Sequence, residues 1–275
     1  MRPLVVVRRA VAFDPRFCAR SPHFWPLRRA LGAIGPGEDF PTVGDFARVF
    51  AGDPPVRFVP ASPPRRRTPL DPRALYDARI TLDGVVPTRE RCWHDFMNAL
   101  VWGTFPRAKR ALHARQHRAI AARIAPGART LPPARTRELD ALALLDEGGV
   151  VLLARDPAGL RAALMAGDPG ALEAAVGAGD ARGIVFGHAI YESLALGVAP
   201  AIVAAVVVDD ADDARRACGE ADRIAHADRV LEALLEDSAR LMTPEELKRV
   251  DLNSTAPRTW ATDAPSDESV RPMAS

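Results

Sequence analysis

Thirteen of the 25 prolines in this chain fall within its first 72 residues. Proline fixes φ at about −65° and removes a backbone donor, so no long helix can form there. The first quarter is therefore expected to hold short helices around FWPLRRALGAI (24–34) and TVGDFARVFAG (42–52), then a strand at VRFVP (56–60). ASPPRRRTPLDP (61–72) is expected to be an exposed, extended loop. Residues 1–75 read as a segment that wraps a core supplied by 76–248, and residues 249–275, nearly devoid of apolar side chains, read as a disordered tail.

Beyond Tyr76 the pattern becomes regular. ALYDARITLDGVVPTR suggests a short segment and turn leading to Thr88, a candidate helix N-cap. Trp93, Phe96, Met97, Leu100 and Val101 follow at spacings of 3, 1, 3 and 1. At about 100° per residue they cluster within about 140° of a helix, with His94 at the edge of that face, Asn98 one step beyond, and Asp95 and Trp102 opposite. Pro106 ends or kinks this helix, and RAKRALHARQHRAIAARI continues as a second one. DALALLDEGGVVLLA reads as two short strands joined by a tight turn at Asp146, Glu147, Gly148 and Gly149. RGIVFGHAIYESLALG reads as a helix, entered from a strand or not. AIVAAVVV is a buried strand, and 211–236 an acidic amphipathic helix. The expected fold is a single α+β domain, predominantly helical, with one small sheet built from VRFVP, DALALL, GVVLLA and AIVAAVVV.

Charge and cysteine usage exclude several function classes. The formal net charge of +2 does not by itself imply a nucleic-acid partner. Three scattered cysteines, Cys18, Cys92 and Cys218, form no CxxC pair and suggest a reduced, cytoplasmic protein rather than a disulfide framework. No apolar run reaches the roughly 18 residues of a membrane span. No phosphate-binding loop, dinucleotide fingerprint, nucleophile elbow, zinc finger or RNA-binding aromatic pattern is present. Residues 96–137 carry nine basic and no acidic side chains, whereas 209–237 carry ten acidic ones and four arginines. Either the two segments complement each other within the fold, or the basic one presents a phosphate-binding face.

Three fragments resemble, in order, a bacterial family of unknown function, DUF3025: WHDFMNALVWGTFPRAKRALHARQH, RELDALALLDEGGVVLLA and VFGHAIYE. The resemblance spans about residues 13 to 210. It implies no activity, and the Pro- and Trp-rich closing stretch of that family is replaced here by SARLMTPEELKRV.

The same fragments hold the side chains that can do chemistry. His94 with Asp95, Asp146 with Glu147, and His188 with Glu192 (four apart, hence on one helical face) each offer ligand-type groups. If they converge, His94, His188 and Glu192 are candidate ligands of a divalent metal, with a spare carboxylate as general base. Asn98 belongs to the same candidate catalytic set, and Arg107, Lys109 and Trp102 are candidate substrate contacts, the cations suiting an anionic molecule. A metal-free acid–base site and a purely structural polar network are the other readings of these residues. The function expected is thus a cytoplasmic enzyme, in one form a metal-dependent hydrolase. The alternative is a non-catalytic protein that offers the basic helix 107–123 to a phosphate-bearing or acidic partner.

Overall fold

The first strand pairing sits apart from the main sheet. In a computed structural model, which describes residues 12–35, 37–62, 71–125, 127–132, 134–209 and 219–255, β1 (Arg57–Pro60) runs parallel to β2 (Val85–Thr88) as a two-stranded ribbon. The main sheet has the order β4-β3-β5-β6, from β3 (Gly149–Ala154), β4 (Ala181–Val185), β5 (Ala204–Asp209) and β6 (Lys248–Arg249). β3 pairs antiparallel with β4 and parallel with β5, and β5 pairs antiparallel with β6. All six residues of β3 are buried, which is why GVVLLA shows no polar alternation.

Helices supply the rest. α1 (Arg28–Ile34) and α2 (Tyr76–Asp83) precede the long pair α3 (Trp93–Thr104) and α4 (Pro106–Ala121). α5 (Arg137–Gly148) leads into β3, and α6 (Pro157–Met165) and α7 (Pro169–Gly177) separate β3 from β4. α8 (His188–Ala195) follows β4, and α9 (Glu220–Glu236) follows β5. α6 packs on β3 and β5, α7 on β4, α3 on α8, and α4 between α2 and α9. The fold is the expected predominantly helical α+β domain, with two small sheets instead of one. Among the described residues no helix is long and apolar enough to cross a membrane.

Several local expectations are corrected. DALALL is not a strand. Leu139, Leu142 and Leu145 recur at helical spacing and are buried, the Thr136 hydroxyl accepts from the Leu139 N–H as a helix cap, and the helix runs through the supposed turn to Gly148. Thr88 caps no helix; it closes β2, and its hydroxyl donates to the Val86 carbonyl. α3 starts at Trp93 instead, with the Asp95 carboxylate in its first turn accepting from the Arg89 N–H. The Pro-rich segment does more than wrap: the rings of Phe13, Phe17, Phe40 and Phe46 pack against Trp93 and Phe96. Past residue 248, β6 pairs with β5, and Leu252 and Thr255 are buried. The loop residues 63–70, residues 211–218 of the helix expected over 211–236, and the tail 256–275 lie outside the described residues.

The basic segment packs its helix α4 on α9 of the acidic segment. The Asp228 carboxylate on α9 accepts from the main-chain N–H groups of Arg107 and Ala108 at the start of α4, and Arg107 reaches Glu232 at 3.1 Å. Arg115, buried, bonds Glu138 and the carbonyls of Leu235, Asp237 and Arg240.

Candidate metal centre

Three helix ends from distant parts of the chain meet at one point. His94 and Asp95 lie in the first turn of α3, Asp146 and Glu147 in the last turn of α5, and His188 opens α8. Gly187 makes the approach possible: a Cβ there would stand 2.5 Å from both the Glu147 carbonyl oxygen and the Gly149 nitrogen. No other residue allows two backbones that close.

At this point the Nε2 atoms of His94 and His188 are 2.9 Å apart, with the rings inclined at 74°. Glu147 Oε2 is 3.5 Å from His188 Nε2. One ligand atom from each of His94, Glu147 and His188 lies within 4.8 Å of the others. The far sides of both rings are engaged. His188 Nδ1 is 2.8 Å from the Asp146 main-chain oxygen, and His94 Nδ1 is 2.9 Å from Glu192 Oε2. A carbonyl oxygen only accepts, so His188 Nδ1 carries the hydrogen, and an ionised Glu192 imposes the same on His94. In their neutral forms the two imidazoles therefore turn Nε2 lone pairs toward each other. At 2.9 Å such lone pairs repel unless a cation, a proton or a metal ion, lies between them. Hydrogen bonding to Glu192 raises the His94 pKa above its ordinary value against the opposing effect of burial, and the Glu147 charge adds to the rise.

A second layer surrounds these groups. The fully buried Lys109 ammonium lies 2.6 Å from Asp146 Oδ1. Burial alone would raise the Asp146 carboxyl, but Lys109, helped by His188, holds it well below the usual carboxylate range. The Trp102 ring faces Lys109 and stacks at 5.5 Å on His113, whose Nδ1 is 2.8 Å from Asp77. Burial holds the His113 imidazole below its ordinary value in spite of Asp77.

Of the residues expected at a site, His94, Asp146, Glu147, His188 and Glu192 are brought together. Glu192, expected as a ligand, stands behind His94 on its Nδ1, and Glu147 is the carboxylate that converges with the two Nε2 atoms. Asp95 is tied to Arg89 by two side-chain bonds of 3.0 and 2.7 Å. Asp146 is bound to Lys109 and Glu192 to His94, so the spare carboxylate expected as a general base has no occupant among them. Asn98 is buried and donates to the Tyr76 hydroxyl at 3.3 Å. Trp102 is wholly buried and Arg107 is engaged with α9, so neither stands where a substrate contact was expected. Sequence reasoning missed the Asp77–His113 pair. Its one available signal was the recurrence of Lys109, His113 and Gln116 at spacings of four and three, a polar stripe along one face of α4.

No curated protein and no solved structure matches the chain. A family model described as "Protein of unknown function (DUF3025)" matches residues 56–265. That span contains both histidines, the carboxylates around them, Lys109, and the 238–250 stretch in which the chain departs from the closing pattern noted above. With more than two thirds of its length covered by one family model, the chain belongs to the DUF3025 family.

Proposed function

We propose that this chain is an enzyme whose centre is a single divalent metal ion held by His94, Glu147 and His188, and that its reaction is a hydrolysis. The observation that carries the reading is the pair of imidazoles, each anchored at Nδ1, with their Nε2 atoms 2.9 Å apart. Metal-binding histidines are oriented in this way, the outer nitrogen donating to a carboxylate or a carbonyl. Two histidines and one carboxylate form a ligand set of catalytic zinc, which leaves a further position for water. When bound, such a metal brings the pKa of that water to about 7 and supplies a nucleophile at neutral pH. Tetrahedral coordination with Zn–N bonds of 2.0–2.1 Å separates two nitrogens by about 3.3 Å, so the rings need to part by only about 0.4 Å.

The chain's own residues supply orientation and access. Glu192 and the Asp146 carbonyl fix the two ring planes. The Glu147 side chain is 48% exposed and that of His94 30%, so the centre is reachable from solvent on that side. Free thiols at Cys18 and Cys92 fit a cytoplasmic setting. The non-catalytic reading is less well supported, because Arg107 and the buried Lys109 and Arg115 are engaged within the fold rather than sharing one open face. A metal-free acid–base site, with a proton in place of the metal, is favoured by the bond of His94 Nδ1 to Glu192, which stabilises the protonated ring.

Elemental analysis of the purified chain and of a His188→Ala variant separates these readings. About one metal ion per wild-type chain, lost in the variant, is the expected result. No metal in either, together with a melting temperature unmoved by zinc, manganese or magnesium, would remove the metal-centre reading.

A further inference from the structure

We infer that Lys109 is a positioning residue for this centre. Through its ion pair with Asp146 it fixes the last turn of α5, and with it both the hydrogen bond that orients His188 and the placement of Glu147. The inference rests on the metal-centre reading.

Lys109 has no exposed surface, an environment in which an ammonium is retained only against a strong partner. Its partner is Asp146 Oδ1, at 2.6 Å. The ammonium is held in place from elsewhere in the fold: the Trp102 ring centroid lies 5.7 Å from Nζ, Trp102 stacks on His113, and His113 is bonded to Asp77. Side chains from α2, α3 and α4 thus build one rigid mount for a single positive charge. That charge also faces the C-terminal turn of α5, where the helix dipole favours a cation. What it grips is a residue that touches one ligand and adjoins another. Asp146 presents its main-chain oxygen 2.8 Å from His188 Nδ1 and its carboxylate 3.7 Å from the same atom. The next residue along is Glu147. One ion pair therefore controls one ligand through a hydrogen bond and another through the chain itself.

The test uses the full-length chain stripped of metal, with zinc ion alone as the probe and its affinity read by chelator competition. Lys109→Met removes the charge. Lys109→Met combined with Asp146→Asn removes both charges, keeps the main-chain carbonyl, and leaves no lone buried ion, so it serves where the single variant fails to fold. Arg115→Met, also buried but bonded to the end of α9 and the turn beyond it, is the control for destabilisation and is expected to keep wild-type zinc affinity. The Lys109 variants are expected to bind zinc roughly 10- to 100-fold more weakly, the usual effect of removing an outer-shell partner. Nitrogen NMR of the metal-free double variant should show that His188 no longer holds its single Nδ1–H form. A double variant with wild-type zinc affinity and an unchanged His188 tautomer would overturn the positioning role and leave the metal centre standing. A wild-type chain that binds no zinc would overturn both.

Discussion

Gly187→Ala tests how tightly the centre depends on one close approach. The new Cβ would lie 2.5 Å from two main-chain atoms, the Glu147 oxygen and the Gly149 nitrogen, where ordinary contact begins at 3.4 Å. Neither atom belongs to a flexible side chain, so about 0.9 Å of separation must come from moving the start of α8 away from the end of α5. His188 is the first residue of α8 and moves with it. Its Nδ1 would go from 2.8 Å to roughly 3.7 Å from the Asp146 oxygen, beyond hydrogen-bonding distance. Over-packing of this kind costs about 1–3 kcal/mol, which in a chain of this size corresponds to a melting temperature lowered by roughly 2–10 °C. Zinc affinity should fall as well, because the ring is no longer held. Scanning calorimetry and chelator competition read the two effects. A variant that melts within 1 °C of wild type and binds zinc equally well would refute the argument, since the clash would then have been relieved without moving His188.

Other outcomes follow from the same geometry. Because Glu192 raises the folded-state pKa of His94 above the ordinary 6.5, the pair contributes stability that is complete below about pH 6.5 and is lost as pH rises through the raised value. Melts of the metal-free chain should decline across that range, and Glu192→Gln should flatten the decline; a wild-type profile flat from pH 6 to 9 would contradict the assignment. Asp228→Ala deprives the start of α4 of the acceptor for two N–H groups and should cost about 1–2 kcal/mol by urea denaturation. Burial lifts the Asp228 carboxyl to about 6, above its ordinary 3.8, so the folded chain holds the extra proton in that window and stability should fall as pH rises from 3.8 to about 6, a fall that Asp228→Asn should abolish. Arg115→Met strands three main-chain carbonyls and Glu138, a loss of about 2–4 kcal/mol in the same assay.

Local chemistry was legible wherever a single residue type decides the backbone. Proline kept the helices near 24–34 and 42–52 short, and Pro106 fell at the first position of α4, where its missing N–H has no partner to lose. Spacing alone gave the apolar stripe of α3, but Trp102 on the opposite side is buried as well, so the helix is enclosed on both sides. DALALLDEGG was misread because a short apolar run ending in two glycines suits a hairpin as well as a helix end, and only the packing of Leu139, Leu142 and Leu145 decides between them. That misreading hid which acid converges with the histidines. With Asp146 and Glu147 in a helical turn, one side chain points back to Lys109 and the other toward the Nε2 pair, a division that no pattern of nearby residues encodes. That His94 and His188 meet was one of several readings that the three polar fragments left open. Their distances were not legible, since 94 positions separate the two rings and only the tertiary fold closes that span.

Helix α5 passes into the central strand β3 with no residue between them. A loop at such a junction would absorb motion; here there is no slack. A tug on Glu147 is handed directly to Gly149 and to the ladder that β3 shares with β4 and β5. Occupancy of the centre should therefore register in the heart of the sheet, as slower amide exchange at Val150 to Leu153, ahead of any change at the molecular periphery.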